Sequence, residues 1–370
     1  MLSSAIHPIA ERRLATQRLT GEPFESPIDA VRWLCAVQSQ DYSGARWALG
    51  QRTRGTTEAE VDRLFDAGAI LRTHVLRPTW HFVLPEDVRW LLELTGPRIN
   101  RALGARHREL GLDRQIVSRS LAAFEKALGG GRQLTRPELG EVLSAAGILP
   151  DGQRLPHLLM GAELEGLVTS GPRRGRQFTY ALLAERAPNA RILDRRDAMA
   201  ELARRYFCSH GPAQLQDFVW WSGLTVSDAR SAIAMAGGAL ARQAIDGIEY
   251  WFDAEAAPGA RAPDEVHLLP NYDEYTVGYR DRAAVFDPEH VFVPSLFPRA
   301  SVLTNIVTVG GRVRGIWRRS PSRRGVRLDV TLLDPLDSNQ AAALEAASGR
   351  LGTFLGCTID LRSALQGMGC

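Results

Sequence analysis

The sequence predicts an α+β fold, with three tandem winged-helix motifs followed by a C-terminal β-barrel-like element. Three observations predict it. Three successive segments each read as helix, turn, second helix and then one or two strands, a repeat of architecture without a repeat of letters. Arginines gather at the turns between the paired strands. Beyond about residue 260 the texture changes to strand-rich, with Gly-Gly and Ser-Pro-Ser turns. A chain of 370 residues is longer than one core usually sustains. The expected units are 1–110, 111–190, 191–258 and 259–370.

The first segment opens with "SPIDAVRWLCAVQSQ", where Ser26 can cap a helix that has Pro27 at its first position. A second helix fits "TTEAEVDRLFDAG", with Thr57 and Glu60 spaced as a capping box and Gly68 as its stop. "ILRTHVLRPTWHFVLP" is rich in β-branched and aromatic residues and reads as strand. In the second segment, Thr135 and Glu138 form another capping box in "LTRPELGEVLSAAGIL". "LPHLLMGAELEGLV" then keeps helical spacing, and "TSGPRRGRQFTYALL" reads as strand, basic loop, strand. In the third, Pro212 is expected to open a helix, Gly223 to break it, and Thr225 with Asp228 to start the next. "ALARQAIDGIEYWFD" reads as a hairpin turning at Asp246-Gly247. The last helix, "DSNQAAALEAASGRLGTFLG", is expected to pack.

Composition limits the chemistry. The net charge is +3, and the 45 basic residues are 44 Arg and the single Lys126. A mechanism that needs a lysine amine, such as a Schiff base, has one candidate, in a segment that reads as the wet face of an ordinary helix. Cys35, Cys208, Cys357 and Cys370 are far apart and form no C-x-x-C pair, which argues against a metal site or a disulfide framework. No cofactor is expected. The first twenty residues hold no long apolar core, and no run of about 18 apolar residues occurs anywhere, so the expected setting is the cytoplasm.

Seven arginines fall within sixteen residues around one expected hairpin: Arg312, Arg314, Arg318, Arg319, Arg323, Arg324 and Arg327. Arg173, Arg174 and Arg176 sit in the second wing, and Arg46 follows the first helix. Such clusters suit a phosphate backbone, and Trp317 among them suits a wedge into a groove. The candidate pocket residues are Asp41, Trp80, His81, Tyr272 and Asp273. Asp273 and its neighbour Glu274 read as acids that bond backbone amides rather than as catalysts. His74 and His81 are seven apart on a strand-like run, an odd separation that points them to opposite faces. Gln38 and Gln40 are two apart, which in extended chain puts both amides on one face.

"AVQSQD", "LRPTWHFVLP", "LLPNYDEYTVGYRDR" and "VGGRVRGIWRR" occur in that order along nearly the whole chain. Together they resemble the AlkZ/YcaQ superfamily of bacterial winged-helix DNA glycosylases. The resemblance implies a C-shaped basic surface built on three winged helices, double-stranded DNA as partner, and a monomer. It implies a lesion-facing hairpin at Arg318–Arg327 and a catalytic motif of Gln, an aliphatic residue, then Gln or Asp. Here the motif is Gln38-Ser39-Gln40, the AlkZ-type pair with Ser39 in place of the aliphatic residue; Ser39 is expected to face away from substrate. The implied activity is hydrolysis of N7-alkylated purines, including interstrand cross-links, for self-resistance to an alkylating natural product such as azinomycin.

Two amides suffice for that chemistry. Alkylation at N7 makes the leaving base a neutral, activated heterocycle, so no general acid is needed. What remains is to hold a water and to favour an oxocarbenium-like sugar, which is positioning plus electrostatics. The competing class is a non-enzymatic winged-helix DNA binder, a transcription regulator or a protein that holds alkylated DNA. A single-chain triple repeat has no obvious dimerisation helix, which disfavours a palindromic regulator.

Overall fold

The structure is a computed structural model and describes residues 8–255, 263–286, 304–323 and 325–365. Helices and strands are mixed throughout. The first segment holds α1 (Pro8–Thr16), α2 (Pro27–Leu34), β1 (Val37–Gln38), α3 (Tyr42–Gly50), α4 (Glu58–Ala67), β2 (Leu71–Val75) and β3 (Arg77–Val83). It closes with α5 (Val88–Glu109), and the second holds α6 (Arg114–Leu128), β4 (Leu134–Thr135), α7 (Arg136–Ala145), α8 (Arg154–Leu164), β5 (Val168–Ser170), β6 (Thr179–Leu182) and the short α9 (Leu183–Arg186). The third holds α10 (Arg195–His210), α11 (Leu215–Ser222), α12 (Val226–Ala236), β7 (Leu240–Ile245) and β8 (Ile248–Asp253). The C-terminal block is β9 (Val266–Leu269), α13 (Glu274–Val277), β10 (Ile306–Val309), β11 (Arg312–Ser322), β12 (Gly325–Leu332), α14 (Ser338–Leu355) and β13 (Thr358–Leu365).

Local chemistry sets the boundaries. Ser26 caps α2 by accepting from the Asp29 N–H, with Pro27 at the first helical position. Thr57 caps α4, and Gly68 ends it in the left-handed conformation. Thr135 and Glu138 close a full capping box on α7. Thr225 caps α12. Pro212 does not open its helix: α11 begins at Leu215, where Gln214 and Asp217 close the box instead. The β7–β8 hairpin turns at Asp246 (φ 51°) and Gly247 (φ 76°), the positive pair that a two-residue hairpin turn needs. The strand-like run around His74 and His81 is two strands, because the chain turns at Leu76 (φ 64°).

Sheets follow this order. β1, β3 and β2 form one three-stranded sheet, and β4, β6 and β5 another. The C-terminal strands form an open five-stranded sheet in the order β13-β12-β11-β10-β9, and among the described residues no closed barrel forms. The expected barrel-like closure fails because the chain leaves β12 through α14 and returns as β13 parallel to it. Parallel neighbours need such a crossover, and the helix then covers the sheet face. The segment 287–303, read as strand-rich, lies outside the described residues, as do Arg324 and Cys370.

The second segment has a core of its own, built around Phe124, Leu139, Leu143, Leu158 and Val168. The first segment does not. Its residues share one core with the third segment, around Trp90, Tyr206, Phe207 and Trp221. They share another with the C-terminal sheet, around Phe65, Phe82, Trp317 and Phe354. The join between first and second segments is mixed: Phe178 packs edge-on against Tyr42 and Phe65, and polar contacts surround it. Asp66 receives the Arg173 N–H, Arg186 donates to the carbonyls of Phe65 and Asp66, and the Arg72 N–H donates to Ser170.

Buried acids tie the segments together. Arg52 and Asp273 form a two-pronged, fully buried pair at 2.7 and 2.9 Å, and Arg52 also donates to Gln17. Asp87 receives Arg205, Arg191 and the Trp90 indole, and these donors hold its carboxyl below the usual range against the upward push of burial. Removing one partner of a buried pair strands the other charge, at about 3–5 kcal/mol. Arg52→Ala should therefore lower the urea unfolding free energy by about that amount, whereas Arg54→Ala, on an exposed pair, should leave it almost unchanged.

Candidate active site

Val37 and Gln38 form the two-residue strand β1, paired antiparallel with β3 so that Gln38 lies across from His81. His81 in turn lies across from Thr73 on β2. Directly opposed residues share a face of a sheet, so Gln38, His81 and Thr73 form one row. Gln38 is 4 % exposed. Its backbone N–H donates to Glu274 Oε1 at 2.7 Å, and its side-chain Oε1 accepts from Arg77 at 3.3 Å.

Gln40 is placed differently. β1 ends at Gln38, the chain bends, and Gln40 is exposed. It lines a cavity of about 250 Å³ with His74, Trp80, Arg136, His157, Glu163 and Tyr180, among others. Trp80 precedes His81 on β3 and so faces the other side of that strand. The expectation that both amides share one face therefore does not hold, because the extended pairing stops one residue too soon. Between them, Ser39 is fully buried, its N–H donating to Trp80 O at 2.7 Å and its carbonyl accepting from Arg72 at 3.1 Å.

The row beneath Gln38 has a defined protonation state. His81 Nδ1 lies 2.9 Å from the Thr79 carbonyl, which can only accept, so Nδ1 carries the proton. Nε2 is then a bare acceptor, buried and without a protein partner, as is the Thr73 hydroxyl. Burial, with the nearby Arg77 charge, pushes the His81 imidazole down to about 3. Glu274 is also fully buried, and its Oε2 takes the Trp221 indole at 3.0 Å and His210 at 3.3 Å. Burial alone would raise its carboxyl, but His210 and the Gln38 N–H outweigh that and hold it below the usual range.

The other expected site residues divide sharply. Trp80 lines the cavity, its ring 4.4 Å from that of His74 and from the Arg72 guanidinium carbon. His74 is paired with the buried Glu163. Asp41 is the N-cap of α3. Asp273 is no pocket residue: it is buried, bound to Arg52, and caps α13 by accepting the Tyr275 N–H. Tyr272 stands just before it with φ 60°, a conformation uncommon for a tyrosine. Trp317 is no wedge either, since it is buried in the core under the sheet with its indole donating to Leu269 O.

Most of the arginines expected to meet phosphate are occupied. Arg46 is held by Glu58 and Asp62, and Arg173 by Asp62 and Asp66. Arg174 pairs with Glu138, Arg314 with Asp334, and Arg327 with Asp329. Arg319 donates to Ser43. Arg312 is partly buried, whereas Arg176, Arg318 and Arg323 are exposed. Sequence reading passed over Arg77, His210, Trp220 and Trp221. The only signal for them was the doubled tryptophan in "FVWWSG", which reads as core.

A family model described as "DNA glycosylase AlkZ-like" matches residues 31–354 of the chain. The chain belongs to the AlkZ-like DNA glycosylases. It is 26 % identical over 326 residues to the interstrand DNA cross-link repair glycosylase of Streptomyces sahachiroi, covering 82 % of this chain and 85 % of that one. The solved structure of Streptomyces sahachiroi DNA glycosylase AlkZ superposes with a TM-score of 0.80 at 22 % identity, over 96 % of this chain and 98 % of that one. At that identity the superposition shows a shared fold. Family membership makes the chain an enzyme acting on DNA and sets aside the non-enzymatic regulator.

The electrostatics give a direct check. The unfolded imidazole, near ~6.5, binds a proton that folded His81 refuses down to about 3. This part of the stability is complete above ~6.5 and is lost as pH falls through that value towards 3. Nitrogen-detected NMR at pH 5.5 should show His81 as the neutral Nδ1–H form. A charged His81 at that pH would refute the assignment.

Proposed function

We propose that the chain is a monofunctional glycosylase that hydrolyses the N-glycosidic bond of N7-alkylated purines in double-stranded DNA. The observation that carries this is that, among the described residues, no ready proton donor stands around Gln38. His81 is neutral down to about 3, and Glu274 is a carboxylate already taken by three donors. Such a site cannot protonate a leaving base near neutral pH, so it suits a base whose charge is already supplied by alkylation. Gln38, fixed by Arg77 and Glu274, holds the attacking water. Gln40, exposed at the cavity mouth, approaches the substrate from the other side of the strand end. Hydrogen bonds of this kind, ready before the reaction, are worth about 2–4 kcal/mol each.

The bond from C1′ to the purine nitrogen breaks, its electron pair neutralises the cationic base, water oxygen closes onto C1′, and the proton that water sheds passes to solvent. Among the described residues the one side-chain amine is Lys126, exposed on α6 in the second segment, so no Schiff base is expected. The product is an intact abasic site. The three helix–helix–strand segments correspond in this reading to three winged helices with boundaries near residues 110, 190 and 258. They form a C-shaped surface wide enough for cross-linked duplex. Arg176, Arg318 and Arg323, exposed on the second wing and the β11–β12 hairpin, meet the backbone. A monomer working in a bacterial cytoplasm, guarding its own DNA against an alkylating natural product, fits this reading. The cross-link named for the Streptomyces sahachiroi relative supports it.

The test is excision of a single 7-methylguanine from duplex, followed by mild alkali. Wild type should give strand scission. Gln38→Ala and Gln40→Ala should each lose roughly 30- to 1,000-fold in single-turnover rate, matching about 2–4 kcal/mol, with DNA affinity unchanged. Excision of uracil at a comparable rate, or borohydride trapping of a protein–DNA adduct, would overturn the mechanism.

A further inference from the structure

Trp220 is 42 % exposed on α11, beside Trp221, which is fully buried. The two neighbours do opposite things. Trp221 sends its indole N–H inward to Glu274. Trp220 faces solvent and donates its indole N–H to the Val277 carbonyl on α13 at 3.1 Å. That bond pins one edge of the ring and leaves apolar surface in water, which folding alone does not favour.

Two guanidiniums flank this ring. The central carbons of Arg77 and Arg282 lie 5.4 and 5.7 Å from its centre. Arg282 donates through Nε to Thr276 O at 2.9 Å, and Arg77 donates to Gln38 Oε1 at 3.3 Å. Among the described residues neither is within ion-pair distance of a carboxylate, unlike Arg46, Arg173, Arg174, Arg314 and Arg327. Burial pulls both guanidiniums down from their ordinary value, the cost of two desolvated cations held side by side. A partly exposed aromatic ring with two cations over it that lack a carboxylate partner, one side chain away from Gln38, matches a flat aromatic group carried on an anionic strand. A nucleobase in DNA has both parts.

We propose that Trp220 stacks on a nucleobase next to the lesion, while Arg282 and Arg77 hold the phosphate beside it. The stack fills the step opened at the damaged nucleotide and fixes the sugar over Gln38. This site is separate from the β11–β12 hairpin and joins Trp220 of the third segment to Arg77 of the first and Arg282 of the C-terminal block. It rests on the reading of Gln38 as the hydrolytic site.

The test uses the full chain and a duplex with a tetrahydrofuran abasic analogue, with 2-aminopurine placed on either side of it in turn. Wild type should quench the 2-aminopurine on one side. Trp220→Ala should restore its emission and weaken binding roughly tenfold, the scale of one lost base–aromatic stack. Trp220→Phe should keep most of both effects. Arg282→Gln should lower the salt dependence of binding by about one phosphate contact. Unchanged quenching and affinity in Trp220→Ala would overturn the proposal. So would a Trp220→Phe protein as impaired as Trp220→Ala with an equally lowered melting temperature, since that marks a structural role. Excision of 7-methylguanine by wild type is scored separately: its failure removes the glycosylase mechanism, whereas quenching needs no excision.

Discussion

The short helix α13 carries the constraint on which the site depends. Asp273 and Glu274 are adjacent, both buried, and reach in different directions. Asp273 locks onto Arg52 at the end of α3. Glu274 takes the backbone of Gln38 from the first segment and the rings of His210 and Trp221 from the third. An interior carboxylate is tolerated only when its oxygens are matched by donors. Three stretches of chain far apart in sequence must therefore converge on one turn of helix, or a charge is left unmatched. The candidate amide stands on that point of convergence, so its position is dictated by the folding of the whole chain.

The same constraint explains what could be read from sequence. Local signals were legible wherever one or two residues decide the outcome. Ser26-Pro27, Thr57, Thr135 with Glu138, Gly68, Gly223 and Asp246-Gly247 all act where expected. The reading of Asp273 and Glu274 as acceptors of backbone amides also stands. Trp317 misled because periodicity cannot tell which face of a hairpin lies under a helix, and α14 covers that face. The glutamine pair misled because β1 is only two residues long, so alternation ends before Gln40. The role of α11 was invisible for a related reason: which of two adjacent tryptophans meets water depends on Val277 and Glu274, more than fifty residues later.

Arginine content alone does not mark a free basic surface. A chain with 44 arginines spends many of them on its own carboxylates. The informative quantity is the cation left without an acid. By that measure fewer cations are free than the composition suggests, and among them are Arg77 and Arg282 beside the motif and Arg176, Arg318 and Arg323 on two hairpins. A modest net charge of +3 is consistent with a protein whose basicity is placed rather than spread.

The cavity beside Gln40 takes some walls from the first segment, Trp80 and His74, and others from the second, Arg136, Glu163 and Tyr180. Those two segments meet there through ion pairs and single hydrogen bonds, and beside it through Phe178 packed on Tyr42 and Phe65. The cavity is thus bounded by two stretches of chain rather than cut into one, and its width is set by how they meet. Whatever fills it acts as a shim, so by reciprocity a ligand that binds there stiffens the front half of the chain, and a stiffer seam binds that ligand more tightly.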